Sequence, residues 1–322
     1  MTKKMLNRRN TLTLLAGIPL GKMLPSTDAS SEGTRSSGST GGWPMFQYNP
    51  ANTGSVPDTE GPKQHGQELW SSELEAGLGT TPVVRDATVY TASGRWDPDT
   101  GDEIQEDTYV YAFDAETGEE QWRYEAEASI GHTPIATDAL YFADDEGTVY
   151  SLDWDKSVHW THETETSPAQ LTVDDHLYLV GAKDEGVAMA IDPDGPETRW
   201  ETELSGQVNG VGVGPYLYCG SFDGTVRAIG KENGAVQEDW NAETGDWITA
   251  PPTYYAESVV VGSHDGYLYA FDAYDGTEQW KFDTGAAIDA SVAVKDGTVF
   301  VGNHEAVLYA IDINDATPMK AC

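Results

Sequence analysis

Basic residues are scarce in this chain. Its 322 residues include 18 Lys+Arg against 54 Asp+Glu, a formal net charge of −36. A field of that sign repels phosphates, which argues against nucleic acid and anionic membrane surfaces as partners. Cysteine is nearly absent as well, with only Cys219 and the terminal Cys322. Two thiols supply neither a disulfide framework nor a metal cluster. Cys219 closes the apolar run 216–219 and reads as a small buried hydrophobe. No apolar run is long enough for an ordinary membrane-spanning helix. Sustained helical periodicity is missing, and so are the phosphate-binding glycine loop, the nucleophile elbow, zinc spacing and any triad signature.

Aromatic residues, in contrast, are plentiful: ten Trp and sixteen Tyr accompany thirty-four Gly. Disordered acidic chains are poor in aromatics, so this one is expected to bury a core. Its acids are spread through the body, with 12 basic against 52 acidic residues over 43–322. Self-repulsion on that scale strains a compact fold unless salt shortens the Debye length to about 3 Å. A high-salt host is the expected setting.

Residues 1–25 carry Lys3, Lys4, Arg8 and Arg9 ahead of the apolar run Leu12 to Leu20, which reads as an export signal. The pair Arg8-Arg9 resembles a twin-arginine signal, although Thr11 stands where that motif has a bulky apolar residue. Ile18 occupies the place where lipid anchoring would need Cys. Residues 26–42 are almost wholly Ser, Thr, Gly and charge, and read as a flexible linker. Residues 43–322 are read as a single domain.

That domain is repetitive. Trp70, Trp122, Trp160, Trp200, Trp240 and Trp280 follow one another at gaps of 52, 38, 40, 40 and 40. Each unit contains four short runs rich in Val, Tyr, Ile and Phe, separated by Gly, Asp and Pro, with hairpin signals such as Asp223-Gly224 and Asp265-Gly266. Four strands per unit in tandem imply an all-β propeller of six four-stranded blades, with seven as the alternative. The last unit stops before its fourth strand. Residues 67–75 are a strand without a unit, so they are expected to pair with the last blade and close the ring.

The pattern Ala112-Phe-Asp114-Ala-Glu-Thr117-Gly118-Glu-Glu-Gln-Trp122 resembles the tryptophan-docking motif of the pyrroloquinoline-quinone (PQQ)-like repeat family. Gly42-Trp43-Pro44 to Gly54 is similar to the segment that precedes the first blade in that family. The resemblance spans about 43–320 and implies that each Trp docks on a neighbouring blade. One branch of the family is the quinoprotein dehydrogenases, usually eight-bladed, with PQQ and calcium over the channel and two adjacent cysteines. This chain has no Cys-Cys pair, falls two blades short and offers no carboxylate matching the catalytic base. It resembles instead the non-catalytic scaffolds, such as the outer-membrane assembly factor B-like propellers, in a haloarchaeal form. No cofactor is expected; PQQ with calcium, in a quinoprotein-like dehydrogenase, is the alternative, and an extracellular ligand-sensing domain is a second.

The loops that lead from each Trp into the next unit should ring one mouth of the channel. Thr80, His132, Gln170, Asn209, Thr249 and Asp289 occupy aligned places there. They are placed to form a polar ring for a small ligand or a peptide; the alternative is that they only cap strands. Asp145, Lys183, Phe222, His264 and His304 mark the hairpin tips, and the tips of adjacent blades are expected to diverge. Asp97, Asp99 and Asp102 sit in the twelve extra residues of the first unit. They suggest a calcium loop, but the loop lacks the distal Glu, so an acidic surface loop is preferred. A monomer that binds a protein or small-molecule ligand is expected, with no catalytic residues.

Overall fold

The computed structural model of the chain describes residues 44–54, 68–74, 77–78, 80–93, 108–240 and 242–313. All lie within one unit, Ser37–Cys322. Arg8, Arg9, the 26–42 linker, Asp97, Asp99, Asp102 and Cys322 fall outside the described residues.

Among the described residues six antiparallel sheets follow one another along the chain, each with its strands in sequence order. They span 83–125, 135–163, 167–204, 208–243, 253–283 and 293–312 and are numbered here as blades one to six. The first strands of blades one to five lie against one another in succession. Side chains of the second and third strands fill the space between blades, giving apolar clusters such as Tyr178, Val180, Ala188, Val211, Leu217 and Cys219. The fold is the β-propeller that the repeat implied. Cys219 is fully buried, which pushes its thiol up to about 12, and it acts as a core hydrophobe.

One irregularity recurs. In blades one, two, three and five the third and fourth strands slip register just before the Trp, leaving Gln121, His159, Arg199 and Gln279 unpaired. A bulge of this kind bends the strand and re-aims the next side chain. Each Trp points at the following blade, in blade four without the bulge. Its indole N–H donates to a backbone carbonyl one or two residues past the end of the third strand there: Trp122 to Trp154 (2.9 Å), Trp160 to Pro193 (3.2 Å), Trp200 to Lys231 (2.7 Å) and Trp240 to Ala273 (3.1 Å). Trp280 packs with Tyr309 and Ile311 on the apolar cluster of the last blade. In blade four the fourth strand shrinks to Ala242–Glu243, and Trp240 lies ahead of it. In this unit Gly230 stands where the docking motif has Asp, and two more residues separate it from the Trp than separate Asp114 from Trp122.

The last sheet has three strands among the described residues. The pairing expected of residues 67–75 with it is not formed there: 68–74 carry no strand, and Leu69 and Leu308 are both largely exposed. The segment is fastened to the first blade instead. Trp70 donates to the carbonyl of Ala115 (3.0 Å) and the Ser72 hydroxyl to that of Gly118 (2.9 Å). That is the docking contact the other Trp residues make, so Trp70 keeps its place in the series without the ladder.

Residues 44–54 cross the channel. Carbonyls of Pro44, Pro50, Ala51 and Thr53 accept from the amides of Ala136, Val213, Tyr254 and Val294; the first two end the first strands of blades two and four, and the last two lie within those of blades five and six. Asn52 is buried at the crossing, and its amide donates to the carbonyls of Val211 (2.7 Å) and Pro252 (3.0 Å). Its backbone is left-handed (φ 58°), a conformation Asn tolerates better than most residues. One short segment thus ties four blades together.

Candidate functional site

Antiparallel order puts two sets of loops at the same end of the molecule: the Trp-to-first-strand loops and the second-to-third-strand hairpins. The crossing segment holds the opposite ends of the first strands. The channel therefore has one open mouth, and four of the six predicted ring residues line a cavity in it. His132, Gln170, Asn209 and Thr249, with Thr133, Leu171, Pro251 and Phe46 of the crossing segment, enclose about 210 Å³.

The ring residues also join blades to one another. Gln170 is nearly buried and accepts from the Val211 amide (2.9 Å). Asn209 donates to the Thr249 carbonyl, and the Thr249 hydroxyl donates to Asp289 (2.9 Å). Thr80 turns back into its own blade, bonding the carbonyl of Ala92 (3.2 Å), and does not line the cavity. His132 stands 3.8 Å from Asp145 of its own hairpin. Capping and lining are thus combined in the same side chains.

The hairpin tips correct an expectation. Those of blades five and six do not diverge: the rings of His264 and His304 lie 5.8 Å apart, and both histidines bond to Asp289. Burial pushes the Asp289 carboxyl up, but the bonds from His264, Thr249 and His304 outweigh it and hold it below its ordinary value. Tips and ring converge because both face the mouth. Trp247 belongs to this rim as well, beside Phe222 and His264. The repeat could not reveal it, since Trp247 lies outside the forty-residue series; its position two residues before Thr249 was the available signal.

The cavity lining has no Lys or Arg to meet an anionic quinone, and Phe46 occupies one of its walls. Among the described residues no group of three or more His, Cys, Asp or Glu is arranged to hold a metal ion. No described helix is long and apolar enough to cross a membrane.

Comparison with known proteins agrees with the fold. No curated protein matches the sequence. Among solved structures, BamB from Moraxella catarrhalis superposes with a TM-score of 0.61 at 20% identity, covering 76% of each chain. The computationally designed Ika8 protein gives 0.66 at 17% identity over 77% of this chain and 75% of its own. Quinohemoprotein alcohol dehydrogenase from Comamonas testosteroni gives 0.65 at 13% identity over 84% of this chain and 58% of its own. The sequence profile described as outer membrane protein assembly factor BamB matches residues 61–210 and 183–316, most of the chain. With its docked tryptophans and tandem blades, the chain belongs to that family of PQQ-like propellers.

Proposed function

We propose that this is an exported, non-catalytic binding or scaffold propeller, working at the surface of a salt-loving cell and taking a protein or small-molecule ligand at its mouth. The observation that carries the reading is the one-ended channel. Residues 44–54 cross one end, and polar side chains with Phe46, Leu171 and Pro251 line a cavity of about 210 Å³ beneath the other. That volume lies below the usual range for drug-sized sites, about 300–1,000 Å³, and suits a small molecule or a single side chain of a partner. BamB is by its name an assembly factor, which favours a protein partner by analogy alone. The 52 acidic residues over 43–322 favour high salt, and the basic, apolar start favours export. Pull-down from cell envelopes at native salt tests the reading. Recovery of a stoichiometric partner supports it, whereas reduction of a dye by an alcohol after adding PQQ and calcium would contradict it.

A further inference from the structure

Four aromatic rings form an arc on the mouth, outside the cavity. Phe222 lies 5.7 Å from Trp247, Trp247 5.6 Å from His264, and His264 5.8 Å from His304, centroid to centroid. The arc runs across blades four, five and six. Trp247 is 54% exposed, although packing alone would bury so large a ring.

Both histidine rings, and the turn that carries Trp247, are held in place. Asp289 bonds both histidines, and the Trp247 amide donates to the Asp246 carboxylate (2.9 Å). The Gly245 amide donates to Asp265 (2.7 Å). A fixed aromatic surface loses little entropy when something binds to it. Each ring also has a carboxylate next to it in the chain: Asp223, Asp246, Asp265 and Glu305. Arg227, the cation beside Asp223, is already engaged by Asp223 (2.6 Å) and Ser205 (2.6 Å). An exposed indole on a turn tied to the Asp246 and Asp265 carboxylates complements a guanidinium or an ammonium. The chain itself contains such a contact, with the Arg85 guanidinium 4.1 Å from the centre of the Trp154 ring.

We infer that the arc of Phe222, Trp247, His264 and His304 docks a Lys or Arg side chain carried by an exposed segment of a partner protein, with the cation over Trp247. The inference rests on the binding reading above and names the chemistry of the partner. A neutral saccharide would stack on the same aromatic face and donate hydroxyls to the carboxylates, but it would gain no charge attraction from them.

The test is an NMR titration of the full chain with acetyl-Gly-Arg-Gly-amide and its citrulline counterpart, in about 2 M KCl so that long-range attraction is screened. The arginine peptide should bind. Its citrulline counterpart and the Trp247→Ala variant should each weaken binding about fivefold, with the melting temperature of the variant unchanged. Trp247→Phe, which keeps a ring, should retain most of the binding. Should Trp247→Ala melt early, Phe222→Ala takes its place in the comparison. Absence of arginine binding, equal binding of citrulline, or indifference to the ring substitutions would overturn the inference, as would binding of N-acetylglucosamine in its stead. The binding reading is judged separately by cross-linking at the mouth, so failure here with cross-linking intact removes the cationic contact alone.

Discussion

The indole of Trp200 lies over Gly234 of the next blade, where a Cβ on the glycine would meet the ring at 2.6 Å. Gly234 is left-handed (φ 67°), and three residues before it the Lys231 carbonyl receives the indole N–H. Gly118 repeats the arrangement beneath Trp70, at 2.5 Å and φ 73°. The glycine of the docking motif thus meets two demands together, a backbone that bulkier residues resist and a seat for the neighbouring ring. Gly234→Ala should cost about 2–4 kcal/mol from backbone strain and overpacking, read as a lowered urea midpoint.

The crossing segment should be needed for stability. Asn52→Ala leaves the Val211 and Pro252 carbonyls without their donor and places Ala at positive φ. A loss of about 2–4 kcal/mol is expected. Asn52→Gly removes the same bonds but tolerates the backbone, so it should fall between Ala and wild type. Deleting residues 1–42 leaves every contact described above in place and should not change the melting temperature. Deleting 1–54 should lower it sharply.

Acid should destabilise the docking turns. Thr117 holds the Asp114 carboxyl below its ordinary range, chiefly through its backbone N–H and then its hydroxyl, with the Glu116 amide adding to this. Asp275 is lowered in the same way by Thr277. A carboxyl with a lower pKa in the folded state contributes stability that is present above the unfolded value, about 3.9, and is lost as pH falls through the folded one. In molar KCl, where overall repulsion is screened, unfolding free energy should therefore decline below about pH 4. Asp114→Asn should flatten part of that decline.

Salt should stabilise the fold if the acidic surface reflects a high-salt host. The melting temperature is expected to rise between about 0.1 and 2 M KCl as the Debye length shortens. A flat or falling curve would count against that setting.

Export should depend on the arginine pair itself. Replacing Arg8 and Arg9 with Lys preserves charge but removes the pair that a twin-arginine pathway reads. Retention of the double variant inside the cell, followed by fractionation, is the expected outcome.

Much of this was legible because the repeat is regular. Six Trp residues, hairpin glycines and apolar runs located the blades, and counting nine or ten residues past each Trp found His132, Gln170, Asn209 and Thr249 on the cavity wall. The path of residues 44–54 was not legible, because its ties run mainly through backbone carbonyls to strands up to about 240 residues away in sequence, from Thr53 to Val294. Nor was the rim. His264 and His304 meet through Asp289, and Trp247 has no counterpart in the other units. Pairing of 67–75 with the last blade followed from counting strands, which says nothing about the hold that Ala115 and Gly118 exert on Trp70 and Ser72.

Site-specific photo-cross-linking tests most directly the claim that this propeller binds at its open mouth. A benzoylphenylalanine at Asp184, an exposed residue on the hairpin tip of blade three and outside the aromatic arc, probes the mouth, and one at Tyr274, an exposed residue on a third-to-fourth-strand turn, probes the opposite end. In envelopes at native salt, one discrete partner should be captured from position 184 and none from 274. Capture from position 274 alone would contradict the account.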